Sequence, residues 1–103
     1  MLRKLFGRKK SDFLKKMNTL MELYATSHNA QATYKQLMEL RPLIRAEGEL
    51  AIFNLNRAAL LYDMKEFRKA ADIVMEIPPL NPEFDARVAN MKTLIMDTNA
   101  RNR

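Results

Sequence analysis

Leu37-Met38-Glu39-Leu40-Arg41-Pro42 returns 37 residues later as Val74-Met75-Glu76-Ile77-Pro78-Pro79, and this near-duplication governs how the rest of the chain is read. With a shift of 38 the echo continues upstream: Met17, Asn18, Leu20, Met21, Leu23 and Tyr24 fall on Leu55, Asn56, Ala58, Ala59, Leu61 and Tyr62. Asn, Leu and Tyr recur unchanged, and the other positions stay small or apolar. A period in the thirties is the mark of stacked helical hairpins, in which each unit buries its apolar face only against its neighbours.

Outward from the repeat the chain reads as helix throughout. Only Gly7, Gly48 and four prolines punctuate it, and β-branched residues never alternate as in a strand. A first helix is expected over Asp12–Thr26, because Phe13, Met17, Leu20 and Tyr24 recur at spacings of three and four, and Ser11 or Asp12 can accept from its first amides. After a turn at Thr26–Asn29, a second helix is expected from Ala30 to Arg41. Pro42 disfavours helical geometry at the residue before it, so the helix ends or kinks there.

The third helix, from Glu47 or Glu49 to Met64, carries two polar seams. Glu49, Asn56 and Asp63 form one at intervals of seven; Glu47, Asn54 and Arg57 form the other. Apolar surface on both flanks between two seams marks the central element, packed on two sides. Lys65-Glu66 turns the chain into a fourth helix, Phe67–Ile77, halted by Pro78-Pro79, which lack the amide a further turn needs. Asn81-Pro82 supplies a cap and a favoured first position for a fifth helix, with fraying from Asn99 to Arg103. The expectation is an all-α domain over residues 12–98: two helical hairpins and a C-terminal capping helix, preceded by a basic arm at 1–11 and followed by a short basic tail at 99–103.

Composition bounds the chemistry. The chain has 103 residues, room for one modest core. With no cysteine, disulfides and thiolate zinc sites are excluded, and His28 is the only histidine, which counts against metal centres and neutral-pH acid/base work. The net charge of +6 belongs to the ends: residues 1–10 hold five basic side chains and no acid, Arg101 and Arg103 add two more, and the stretch between has 11 basic and 12 acidic groups. No apolar run reaches the roughly 18 residues that span a bilayer. The start does not read as a secretory signal, since Leu5-Phe6 is followed at once by Gly7-Arg8-Lys9-Lys10. It shares a basic, acid-poor character with mitochondrial presequences but stops short at Asp12.

No phosphate-cradling glycine loop, metal-ligand spacing or nucleophile-base pair is present, so the expectation is a non-enzymatic protein without a cofactor. Most of the eight methionines lie on apolar stripes and are expected in the core.

The positions just described resemble the tetratricopeptide repeat, a helical hairpin of about 34 residues. Leu55, Ala58, Ala59 and Tyr62, then Phe67, Ala70, Val74, Ile77 and Asn81-Pro82, follow its spacing in the second unit. Met17, Leu20, Met21 and Tyr24, then Ala30, Thr33, Leu37 and Leu40, follow it in the first. The likeness covers roughly residues 13 to 97, in pattern more than identity: the family's tryptophan is absent, its glycine position holds Met21 or Ala59, and the period is longer. An unrelated five-helix bundle is the competing architecture. The resemblance implies a right-handed stack of hairpins whose first helices line a concave side that receives a partner protein or peptide, as in small adaptors and chaperones. Asn18 and Glu22 in one unit and Asn56, Leu60 and Asp63 in the other are its candidate groove residues. Amides at Asn18 and Asn56 can both donate to and accept from a peptide backbone; as solvated polar positions they would need no ligand at all. Glu22 and Asp63 supply acid where the family's basic clamp has cations, so a basic or apolar ligand is expected rather than an acidic tail.

Leu2, Leu5 and Phe6 fall on one side of a short helix, with Arg3, Lys4, Arg8, Lys9 and Lys10 around them, a composition that suits a weak, reversible hold on an anionic membrane surface. Such a stretch also serves as a solubilising tail or packs on the domain through Leu5 and Phe6. Nucleic acid is the alternative partner for the basic ends, although no recognition motif accompanies them. A homo-oligomer is open, since two repeats fall short of the roughly three that arrays need. A cytoplasmic protein, peripheral at a membrane surface when the arm engages, is the expected setting.

Overall fold

The computed structural model describes residues 11–101, and the basic arm at 1–10 lies outside them. Among the described residues there are five α-helices: α1 (Asp12–Ser27), α2 (Ala30–Met38), α3 (Glu47–Asp63), α4 (Phe67–Val74) and α5 (Pro82–Arg101), with a 3₁₀ turn at Arg41–Leu43. Among the described residues there is no strand, and the class is all-α.

Local sequence sets each entry and exit. The Ser11 hydroxyl accepts from the Leu14 amide at 3.1 Å, Asn29 caps α2 through the Ala32 amide at 3.1 Å, and Asn81 caps α5 through the Phe84 amide at 2.8 Å. Each hairpin turns on a non-glycine residue in the left-handed region, His28 (φ 54°) and Lys65 (φ 66°), 37 positions apart. The duplicated phrase makes the same exit twice: Glu39 and Leu40 donate to Gln36 and Leu37, as Glu76 and Ile77 donate to Ile73 and Val74. These bonds span three residues instead of four, so α2 and α4 stop at Met38 and Val74, three residues before the ends at Arg41 and Ile77 expected from the sequence. The tightened last turn satisfies carbonyls that would otherwise be orphaned before a proline.

At the other end, α5 continues to Arg101 rather than fraying from Asn99. The Asn99 amide donates to the Phe67 carbonyl at 3.5 Å, and Arg101 pairs with Asp97 at 3.1 Å, a favourable placement for a cation in a last turn.

The core has two parts that share α3. Phe13, Met17, Leu20 and Leu37 from the first hairpin close on Phe53 and Leu60. Ala51, Ala58 and Leu61 face the other way, onto Ala70, Val74, Ile77, Phe84, Val88 and Ile95. Small residues at 51, 58 and 70 let α3 and α4 approach closely, and each fully buried Phe or Leu contributes about 1.5–3 kcal/mol. Tyr34 packs on both parts and its hydroxyl accepts from Arg57 Nε at 3.0 Å; the Arg41 guanidinium lies 5.7 Å from the centre of the Phe53 ring. Met17, Met21, Met38, Met64 and Met91 pack in or on this core, whereas Met75 and Met96 are about half exposed.

Candidate functional site

The helices α1, α3 and α5 run side by side in one direction. At the N-terminal end the Ser11 hydroxyl reaches Glu49, and at the C-terminal end the Tyr24 hydroxyl donates to Asp63 at 2.5 Å, so α1 and α3 are parallel. Tyr62 and Thr98 share a hydrogen bond of 2.9 Å between the C-terminal halves of α3 and α5. The seam Glu49, Asn56, Asp63 thus meets Ser11, Asn18 and Tyr24, which precede its members by 38, 38 and 39 positions. Residues related by the repeat are neighbours in space.

Between these three helices lies an open cleft of about 440 Å³. Leu14, Met17 and Met21 of α1, Ile52 and Leu55 of α3 and Phe84 of α5 give it an apolar floor. Asn18, Asn56, Asn81, Glu83 and Arg87 form its rim. Asn81 is occupied as a cap, as Asn29 is elsewhere, and Asn99 is held by a carbonyl. Among the described residues the side chains of Asn18 and Asn56 have no hydrogen-bond partner, and both edge the apolar floor.

The other candidates from the sequence are placed differently. Leu60 is a correction: it is fully buried against Phe13, Leu20 and Phe53 and lines no surface, because α3 is apolar on both flanks and position 60 falls on the flank that the first hairpin covers. Asp63 is exposed but engaged by Tyr24 beyond the cleft. Glu22 is exposed on α1, away from the cleft lining. The candidate arm residues Leu2 to Lys10 lie outside the described residues. Glu83, Phe84 and Arg87 are absent from the candidate groove residues, since in the sequence the fifth helix carries an apolar stripe of Phe84, Val88, Met91 and Ile95 and a capping role only; the four-residue spacing of Glu83 and Arg87, each one position before Phe84 and Val88, is the signal that marks a second face.

Two groups carry shifted acidities. The hydrogen bond to Asp63 pushes the Tyr24 phenol up to about 12, with burial and the carboxylate charge adding to it. The Glu49 carboxyl is held below its ordinary value by the Arg45 backbone amide, 2.8 Å away, and by the Ser11 hydroxyl. The Tyr24 shift belongs to the seam between α1 and α3, and the Glu49 shift chiefly to the entry of α3, where the Arg45 amide precedes the helix.

A second cleft, of about 580 Å³, opens on the opposite side of α3. Glu47, Asn54 and Arg57, the other polar seam, form its base, and the two copies of the duplicated phrase wall it with Arg41 on one side and Glu76 and Pro78 on the other. Its charges are mixed and Arg57 is already bonded to Tyr34. Among the described residues no group of three or more histidine or acidic side chains could hold a metal ion, and no helix is long and apolar enough to cross a membrane. No protein-family model, curated protein or solved structure matches the chain.

Proposed function

We propose that this chain is a small non-enzymatic adaptor or chaperone of tetratricopeptide-like design that binds a segment of a partner protein in the cleft between α1, α3 and α5. The observation that carries the reading is the pairing of an apolar floor with two unengaged amides, Asn18 and Asn56, on its rim. Leu, Met and Phe side chains offer area for apolar groups, while each amide can donate to and accept from an extended backbone. Glu83 and Arg87 bring one charge of each sign, so the rim adds no net charge and the ligand is apolar in character. The basic arm gives the protein a weak, reversible hold on an anionic membrane surface from the cytoplasmic side, each cation near such a surface being worth on the order of 1 kcal/mol.

A photo-crosslinking residue at position 56, compared with one at exposed Lys35 on α2, tests the reading in the native cell. Discrete protein adducts from position 56 and none from position 35 are expected. Adducts absent at 56, or equal at both positions, overturn it. Sedimentation with anionic vesicles and with RNA at two salt concentrations separates the membrane role from nucleic-acid binding.

A further inference from the structure

We infer that α5 pairs antiparallel with α5 of a second copy of this chain, through the side that faces away from its own core. The inference stands apart from the reading of the cleft, and three observations carry it.

The first is a helix face without a neighbour. Phe84, Val88, Met91 and Ile95 turn one side of α5 into the core. Ala86, Ala89, Thr93, Met96 and Ala100, at alternating spacings of three and four, make up the opposite side; all five are exposed and none is charged. Met96 stands 47% exposed in the middle of a face where a solvated helix ordinarily carries charge.

The second is what the equivalent face does one unit earlier. The bonds of Tyr24 to Asp63 and of Tyr62 to Thr98 set α5 on α3 with a shift of 35, which lays Val88 and Ile95 on Phe53 and Leu60, the residues facing the preceding hairpin. In that register Ala86, Thr93 and Met96 answer to Ala51, Ala58 and Leu61, the small, small, large set that α3 buries against the helices after it. Among the described residues α3 is covered on both sides and α5 on one. Small side chains let another helix axis approach to about 8 Å, and the face runs for about 21 Å from Ala86 to Ala100.

The third is self-complementarity, which selects a second copy as the occupant. An antiparallel two-fold with Thr93 near its axis sets Ala86 opposite Ala100 of the second copy and Met96 opposite its Ala89, so the one long side chain of the face meets a short one. Beside Ala89 a hollow of about 250 Å³, lined by Ile77, Pro78, Pro79 and Val88, has room for that methionine. The same register sets Glu83 opposite Arg101 and Arg87 opposite Asp97 along one edge, each pair made twice by symmetry, whereas a parallel pair would set every one of these charges against its like. On the other edge Lys92 meets its own copy, a repulsion that keeps the pairing weak.

One helix on one helix offers less than the about 1,200–2,000 Å² of stable interfaces, so association is expected at micromolar concentration. Sedimentation equilibrium of the full chain across that range should pass from the 12.0 kDa monomer to a dimer. Thr93→Glu sets two carboxylates together at the axis and should raise the dissociation constant at least about tenfold with the helical circular dichroism unchanged. Arg101→Glu should weaken the dimer, and adding Glu83→Arg to the same chain should restore it. Should Thr93→Glu lose helical signal, the charge exchange alone decides. A monomer throughout, a dimer indifferent to Thr93→Glu, or charge reversals that fail to compensate overturn the inference.

Discussion

The phenol of Tyr24 donates to the Asp63 carboxylate at 2.5 Å, tying the end of α1 to the end of α3. Tyr62, its counterpart 38 residues on, bonds Thr98 of α5 at 2.9 Å. In both units the repeated tyrosine reaches the next parallel helix, so α5 stands to the second unit as α3 stands to the first.

Tyr24→Phe removes this bond without emptying space, and a loss of about 0.5–1 kcal/mol in urea denaturation at neutral pH is expected. The folded-state acidity of the phenol lies near 12, above the ordinary 10.0, so its contribution is full below pH 10 and disappears as pH rises through 12. The stability difference between the native chain and Tyr24→Phe should shrink over that window, and ultraviolet titration should find one of the three tyrosines ionising near 12. A pH-independent difference would separate the effect from the hydrogen bond.

Glu49 has the opposite sign. Its carboxyl is depressed below the ordinary 4.5 by the Arg45 amide and the Ser11 hydroxyl, so it stabilises the fold above that pH and the benefit is lost as pH falls through the lower folded-state value. Thermal melts of Glu49→Gln should lie below the native chain at pH 7 and converge with it in strong acid.

Leu60 and Asn56 sit one turn apart on α3 and should respond in contrary ways. Leu60→Ala opens a cavity between Phe13 and Phe53 and is expected to cost about 2–5 kcal/mol. Asn56→Ala breaks no internal hydrogen bond among the described residues and should change stability by less than about 0.5 kcal/mol while weakening the position-specific capture of partners. Equal destabilisation by both would make the amide a structural group.

His28 and Lys65 hold left-handed geometry at a cost of about 1–2 kcal/mol for a residue with a side chain. Glycine removes that strain but returns about 0.5–1 kcal/mol through its freer unfolded state, leaving a net gain of about 0.5 kcal/mol at each turn. Chemical denaturation of His28→Gly and Lys65→Gly should show both midpoints rising.

The central role of α3 was legible because Glu49, Asn56 and Asp63 are spaced by seven and Glu47, Asn54 and Arg57 form a separate stripe; the structure puts α1 on the first and the second cleft on the other. Helix exits were not legible. Proline marks where a helix cannot continue, whereas Met38 and Val74 end theirs because the following amides make three-residue bonds ahead of it. Leu60 was misplaced for a related reason: in a helix apolar on both flanks, periodicity tells that a position is covered or open only after the neighbours are known. The third wall of the cleft was missed because Glu83 and Arg87 belong to a helix outside the repeated text.

Phe53 and Leu60 serve one core while Ala51, Ala58 and Leu61 serve the other, so α3 lies inside both hairpins at once. Opening either hairpin bares a flank of the same rod and loosens its hold on the remainder. Amide exchange then reports a single cooperative unit with its slowest protons midway along α3, and a fragment that stops before Glu47 or begins after Asp63 keeps no interior around which to refold.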